Sequence, residues 1–381
     1  MNIITKYLLG SALVLSLYAC KKDIQQMPAG ECISYVGHVK SVADTALFEK
    51  FSLFSFESTS EFLLGRIEKI VKYKGNYYVL DKQINSILAF DGEGKFLHTI
   101  GRIGNGAGEY VALRDVIVDA DANQLLMLVQ PSAIHFYNLD GTFDRSMHLD
   151  AYYDGIAVDE KNIYISNSPY VNNRQQEYSL TVIDKKTEDV RTLLPAMDEI
   201  APYCNNRGMS LTKTGNAIYY TRRFDNRIYS LSDSGVKTEF SVDWGKLAFP
   251  EQPSGTLLDC KELNKLCRDH EYVYTVTDLK EGENNMLFRT NLFGVYALGK
   301  QENKIVYYDM IMNSSFNIPL PNYLPVYGED DEVFFIYPVH MLSGLRKLME
   351  KSENDAAAAL RNDLSTIKED DNPLIFRYSL K

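Results

Sequence analysis

The chain is poor in the residues that usually carry chemistry. It has 381 residues but only six histidines, one tryptophan and five cysteines. His38, His98, His135, His148, His270 and His340 include no HExxH pair and no neighbour at metal-ligand spacing, which excludes the common zinc-hydrolase patterns. No GxSxG elbow is present, so an α/β-hydrolase nucleophile is excluded. Positive charge is also scarce, with 40 Lys and Arg against 51 Asp and Glu and a net charge of −11. So acidic a chain is a poor partner for nucleic acid. After residue 17 no apolar run is long enough to span a bilayer. A single Trp244 is meagre for a dedicated glycan binder, although Tyr and Trp suit sugar stacking.

What is present begins at the N-terminus. Lys6 supplies a positive charge, Leu8 to Leu17 form an apolar run, and Leu17-Tyr18-Ala19 precede Cys20. The run is too short for a membrane span and reads as a secretory signal peptide over residues 1–19. The segment before Cys20 resembles a bacterial lipobox, which implies that Cys20 is lipidated and anchors the chain to the membrane without spanning it. Residues 20–41 mix charge, proline and glycine without a period and read as a flexible tether. The expected location is the cell envelope, as an outer-membrane lipoprotein facing the periplasm or the surface. The oxidising compartment permits disulfides among Cys32, Cys204, Cys260 and Cys267. Cys260 and Cys267 lie on a helical pattern about 10.5 Å apart along its axis, too far for a bridge unless the helix breaks. Free or otherwise paired structural cysteines are expected.

The body is a repeat. Short strands alternate with turns such as Lys74-Gly75-Asn76 and Asp91-Gly92-Glu93-Gly94, the pattern of a four-stranded meander. Ala89, Phe136, Val182 and Tyr229 mark equivalent third strands at intervals of 47, 46 and 47 residues. Length alone suggests two domains. A constant period in the forties with four strands per unit instead indicates one β-propeller. Val295 to Leu298 and Ile375 to Tyr378 are the fifth and sixth third strands, each delayed by a helical insert near 246–268 and 340–370. The chain stops after the sixth, so the strand around Leu47 to Phe56 is expected to supply the missing outermost strand and close the ring. The expected fold is an all-β, six-bladed propeller over residues 42–381, with helical insertions on one face.

Leu64-Gly65-Arg66-Ile67, Tyr78-Val79-Leu80-Asp81, Phe90-Asp91 and the glycine-rich run Ile100 to Tyr110 resemble six-bladed β-propeller lipoproteins related to NHL repeats, of the gut Gram-negative anaerobe type. The resemblance covers residue 42 to the end. Ala107 stands where the family usually has proline, and Phe54-Ser55-Phe56-Glu57 replaces its Pro-Leu-Glu-Thr. The resemblance implies fold and location, not chemistry.

The long loops all fall on one face, which makes that face the place to look for function. The innermost strands are expected to begin there at Arg66, Arg114, Asp154, Arg207, Glu271 and Asn322. Arg66, Arg114 and Arg207 at one mouth suit a carboxylate, sulfate or phosphate; Arg222, Arg223, Asp225, Asn226 and His340 lie on the same side. Pairing of each arginine with a nearby acid, such as Asp115 or Asp225, is the competing expectation. Gly101, Gly104, Gly106 and Gly108 lack the Lys-Ser/Thr of a phosphate loop and are read as a crossing turn needing positive φ, braced by Glu109. Lactonase-type six-bladed propellers hold calcium through Glu, Asn and Asp, which by that resemblance gives Glu271, Asn322 and Asp154 as an alternative set. The leading expectation is a non-enzymatic module binding a glycan, peptide or envelope protein, without cofactor. A calcium-dependent hydrolase or lyase is the alternative.

Overall fold

The computed structural model describes residues 30–59, 63–171, 174–197, 200–201, 204, 208–252, 255–292, 294–321, 326–327, 332–337, 339–350, 368 and 371–381. The protein is all-β and propeller-like. Its strands group into four-stranded antiparallel arrays, each a meander of the kind that the turn residues dictate. The first array comprises Ile67–Tyr73, Asn76–Asp81, Ser86–Phe90 and Phe96–Ile100. The second runs from Ala112–Asp119 to Phe143–His148. The third runs from Tyr153–Val158 to Val190–Pro195, and the fourth from Leu211–Thr214 to Gly235–Asp243. The fifth runs from Val276–Glu281 to Lys304–Tyr308. The four markers and both later segments named above lie on third strands of these arrays.

The sixth array is assembled from both ends of the chain. Val326–Tyr327, Glu332–Tyr337 and Leu374–Leu380 are completed by Phe48–Ser55, which pairs antiparallel with Leu374–Leu380 from Phe48↔Leu380 to Ser55↔Leu374. Asn372 locks this closure. It is fully buried, accepts from the Leu64 N–H at 2.7 Å, and donates to the carbonyls of Phe56 and Glu57 at 3.3 and 2.9 Å.

Six apolar clusters each straddle two arrays. Tyr78 and Leu80 meet Leu125 and Met127 between the first and second. Phe334, Ile336 and Ile375 of the sixth meet Ile70, Tyr77 and Val79 of the first. Leu287, Val295 and Ala297 of the fifth meet Phe335 and Phe376 of the sixth. Hydrophobic burial therefore holds sheet to sheet around the assembly rather than one central core.

The N-terminal segment differs from the tether expected of residues 20–41. Glu31–Val39 (β1) is a strand wedged between the outer edges of the fourth and fifth arrays, parallel to both, joining them into a nine-stranded sheet. Its apolar signal is slight. Only Ile33 is well buried, with Tyr35 packed 6.1 Å from Trp244 and 6.2 Å from Tyr296. Covering two open edges supplies the backbone hydrogen bonds that composition did not reveal. A single helical turn, α1 (Asp44–Leu47), precedes the closing strand, and both inserts carry helix: α2 (Cys260–His270) and α3 (Leu342–Glu350). A capping box of Asp259 and Glu262 starts α2, and left-handed Glu271 ends it. Residues 351–367, in the second insert, lie outside the described residues. No helix among the described residues is long and apolar enough to cross a membrane.

Candidate functional site

The innermost strands of the first three arrays begin at Ile67, Ala112 and Tyr153, within two residues of the expected Arg66, Arg114 and Asp154, and they carry a shared irregularity. In the first three arrays the ladder slips by one residue, between Ile67 and Lys69, Leu113 and Asp115, and Tyr153 and Gly155. Each slip is a β-bulge, which re-aims a side chain. The bulged residues are Glu68, Arg114 and Asp154, and all three line one cavity of about 600 Å³. Arg66, Lys82, Tyr152, Arg222 and Arg223 line it too. The cavity opens among loops of the first four arrays, on the side that carries the long connections.

Within it the cations differ in availability. Arg222 is committed: it donates to Asp225 at 2.6 and 3.0 Å, to the Pro195 carbonyl at 2.8 Å and to the Tyr229 hydroxyl at 2.7 Å. Burial opposes charge on Asp225, yet hydrogen bonds from Arg227, the Arg222 charge and the Tyr229 hydroxyl hold its carboxyl below the usual range. Arg223 is buried and donates to the Cys204 carbonyl. Arg66 is exposed and reaches Glu68 at 3.2 Å. Arg114 is exposed and meets a neutral partner, Gln130, whose amide oxygen when turned toward it accepts at 3.1 and 2.6 Å. Lys82 donates to the carbonyls of Leu113 and Arg114. Among the described residues neither Arg114 nor Lys82 pairs with a carboxylate. Burial draws the Lys82 ammonium below the usual lysine range, with Arg114 and Arg66 adding to the effect against Asp115 and Glu68.

Asp115, expected as a partner for an arginine, pairs instead with buried Lys69 at 3.0 Å and accepts the Ile156 N–H at 3.0 Å. Asp81 holds the rim: it is fully buried and accepts the N–H groups of Gly65, Arg66 and Gln83. Asn226 and Val242 bond to each other, which makes Asn226 part of the fourth array's frame. Asp225, Asn226 and exposed His340 do not line the cavity. Arg207 and Asn322 lie outside the described residues. Of the calcium alternative, Asp154 is at the cavity, bonded by Ser168 at 2.8 Å, while Glu271 caps α2. Trp244 is 4% exposed and belongs to the apolar contact between the fourth and fifth arrays, whereas Tyr152 is 44% exposed at the cavity.

The glycine-rich loop is built for itself. Gly101 and Gly108 have φ of +66° and +74°, the region glycine reaches without strain. Gly104 and Gly106 do not; a Cβ at Gly104 would collide with the Glu109 carboxylate, and one at Gly106 would crowd it at 3.0 Å. That carboxylate accepts the Gly106 N–H at 2.7 Å and a bond from Arg102, and the Gly106 bond foremost holds its pKa below the usual range.

Sequence reasoning missed Lys82, Glu68, Tyr152 and the Lys69–Asp115 pair, since nothing local marks a bulge. It also missed Asp278, which bulges the fifth innermost strand at φ +57° and receives the Met209 N–H at 2.8 Å and Arg289 at 3.3 Å. Burial pushes its carboxyl up to about 6 against the pull of Arg289 and the Met209 N–H. A carboxyl whose folded pKa exceeds its unfolded value stabilises fully below about pH 4 and loses that contribution as pH rises through about 6. Asp278→Asn should therefore lack a fall in melting temperature that the parent chain shows between those limits. Superimposable pH profiles of the two would refute this assignment.

Among solved structures, a protein of Bacteroides fragilis NCTC 9343 named as exported aligns with a TM-score of 0.71 at 18% identity, over 92% of this chain and 99% of that one. A member of the DUF4221 family from Bacteroides vulgatus ATCC 8482 aligns at 0.48 and 11% identity, over 88% and 97%. A virginiamycin B lyase from Staphylococcus aureus, crystallised with quinupristin, aligns at 0.39 and 11% identity, over 87% and 100%. No curated protein matches the chain. The first of these likenesses shows a shared fold. The family model described as a domain of unknown function, DUF4934, matches residues 33–379 of the 381. The chain belongs to that family.

Proposed function

We propose that the chain is an exported, lipid-anchored six-bladed β-propeller that binds an anionic ligand in the cavity without transforming it. Support for six blades comes from the arrays: each innermost strand touches the next from the first array to the fifth, and the sixth touches the first. Support for export and anchoring comes from the leader and Cys20, with the exported Bacteroides fragilis neighbour consistent in fold. The observation that carries the binding reading is the pair Arg114 and Lys82, two cations at one cavity that no carboxylate neutralises among the described residues. Arg66 adds a third charge at the rim, and exposed Tyr152 offers a ring face. Charge-assisted bonds to a carboxylate, sulfate or phosphate fit the donors, and stacking on Tyr152 fits a sugar ring. An acidic glycan fragment combines both features.

The test is thermal melting in low salt with galacturonate, sulfate or inorganic phosphate. Ligand at a hundredfold above its Kd stabilises by about 2.7 kcal/mol. The expected outcome is a rise of a few degrees, smaller in high salt and absent in an Arg66→Ala/Arg114→Ala chain. Equal shifts in both chains, or none in either, would overturn it. Calcium and EDTA in the same assay address the metal-dependent hydrolase or lyase, of whose candidate ligands Asp154 lines the cavity and Glu271 caps α2.

A further inference from the structure

Three cysteines meet in one apolar cluster beside the cavity. Cys204 and Cys267 are buried with Ala201, Leu263 and Tyr274, and Cys260 packs against them half-buried. Cys204 lies in the connection between the third and fourth arrays; Cys260 is the first residue of α2. These two segments run side by side, since the Leu258 N–H donates to the Ile200 carbonyl at 2.8 Å. Cys260 thus packs against the cluster that holds Cys204, close enough to act on its thiol.

We propose that Cys204 and Cys260 form a disulfide that staples α2 to the rim of the cavity. Cys260 and Cys267 share one helix and point from different turns, which excludes a bridge between them. Cys32 is exposed on β1, in the wedge between the fourth and fifth arrays. The oxidant required is another disulfide, carried by a thiol oxidase or by oxidised glutathione. The more accessible Cys260 thiolate attacks it, forming a mixed disulfide and expelling one thiolate. Cys204 then attacks the Cys260 sulfur, the protein S–S bond forms, and the second thiolate leaves. Two cysteine thiols are oxidised, one oxidant disulfide is reduced, and the two protons pass to the departing thiolates. Burial pushes the Cys204 thiol up to about 12, which makes it the slower, resolving partner. The bridge fixes Cys204, whose carbonyl holds Arg223 at the cavity.

The test takes the reduced, purified chain, exposes it to oxidised glutathione, alkylates it and maps the peptides. The expected result is a linked pair of peptides containing Cys204 and Cys260, lighter by two hydrogens. The oxidised chain should melt several degrees above the reduced one. Cys260→Ser should abolish both changes and Cys267→Ser neither. Cys204 and Cys260 both remaining alkylatable, or a dominant link from either to Cys267 or Cys32, would overturn the proposal. The bridge is independent of the ligand reading. A link that forms in the purified chain but is absent when intact cells are alkylated supports the bridge and counts against the exported location.

Discussion

Asp115→Ala should be among the most destabilising single changes in this chain, by about 3–5 kcal/mol, the usual cost of leaving one partner of a buried ion pair alone. One carboxylate here joins three arrays. It lies in the second, receives Lys69 from the first at 3.0 Å, and accepts the Ile156 N–H of the third at 3.0 Å. The side chains of Lys69 and Asp115 are only 10% and 5% exposed. Truncation leaves an ammonium and a backbone donor with no partner, and water has little access to replace it. Lys69→Met should cost less, because it removes the charge along with its bond and keeps most of the apolar stem. The check is urea denaturation of both single variants and the double. The double variant should be more stable than the sum of the singles implies, since the pair acts as a unit. An Asp115→Ala midpoint within error of the parent would mean that the carboxylate does not tie the three arrays together.

Asn372→Ala should open the ring. Its side chain serves three backbone groups, Leu64 N–H and the carbonyls of Phe56 and Glu57, of which the Phe56 carbonyl also accepts from the Ser55 hydroxyl at 3.3 Å. Unsatisfied buried groups cost about 1–3 kcal/mol each, so a loss of roughly 3 kcal/mol is expected after partial relaxation. Asn372→Asp provides the sharper comparison. It retains the acceptor for Leu64 but turns the donors into an oxygen facing two carbonyl oxygens. It should be at least as damaging above the carboxyl pKa and recover as pH falls. Hydrogen exchange gives a readout of place: amides of Phe48–Ser55 and Leu374–Leu380 should lose protection before those of the second or third array. Uniform loss across all arrays would show that Asn372 contributes to global stability and not to closure in particular.

How much of this was legible in the sequence depends on the range of each interaction. Strands and tight turns are local, and the markers at 46- and 47-residue spacing were visible because each array repeats the same short-range pattern. The pairing of the chain's two ends was legible because a strand with no neighbour and an array lacking one are both countable from sequence. β1 was not, because a strand with one well-buried side chain has nearly the composition of a tether. The arginines were found as types, but their standing was not. Arg222 and Arg114 look alike in sequence; one is spent on Asp225 and the other faces a neutral amide. That difference rests on groups brought from other strands.

The amino-acid order alone thus determined the all-β class, the repeat and the segment that completes the last array, since these rest on alternation and counting along the chain. Only the tertiary structure decided that Glu68, Arg114 and Asp154 turn into one cavity, that Lys69 claims Asp115, and that Cys204 meets Cys260. Each of those outcomes depends on a one-residue slip in a ladder or on contacts between distant segments. The physical reason is that a bulge and a neighbour are properties of paired strands, and a single strand read by itself has neither.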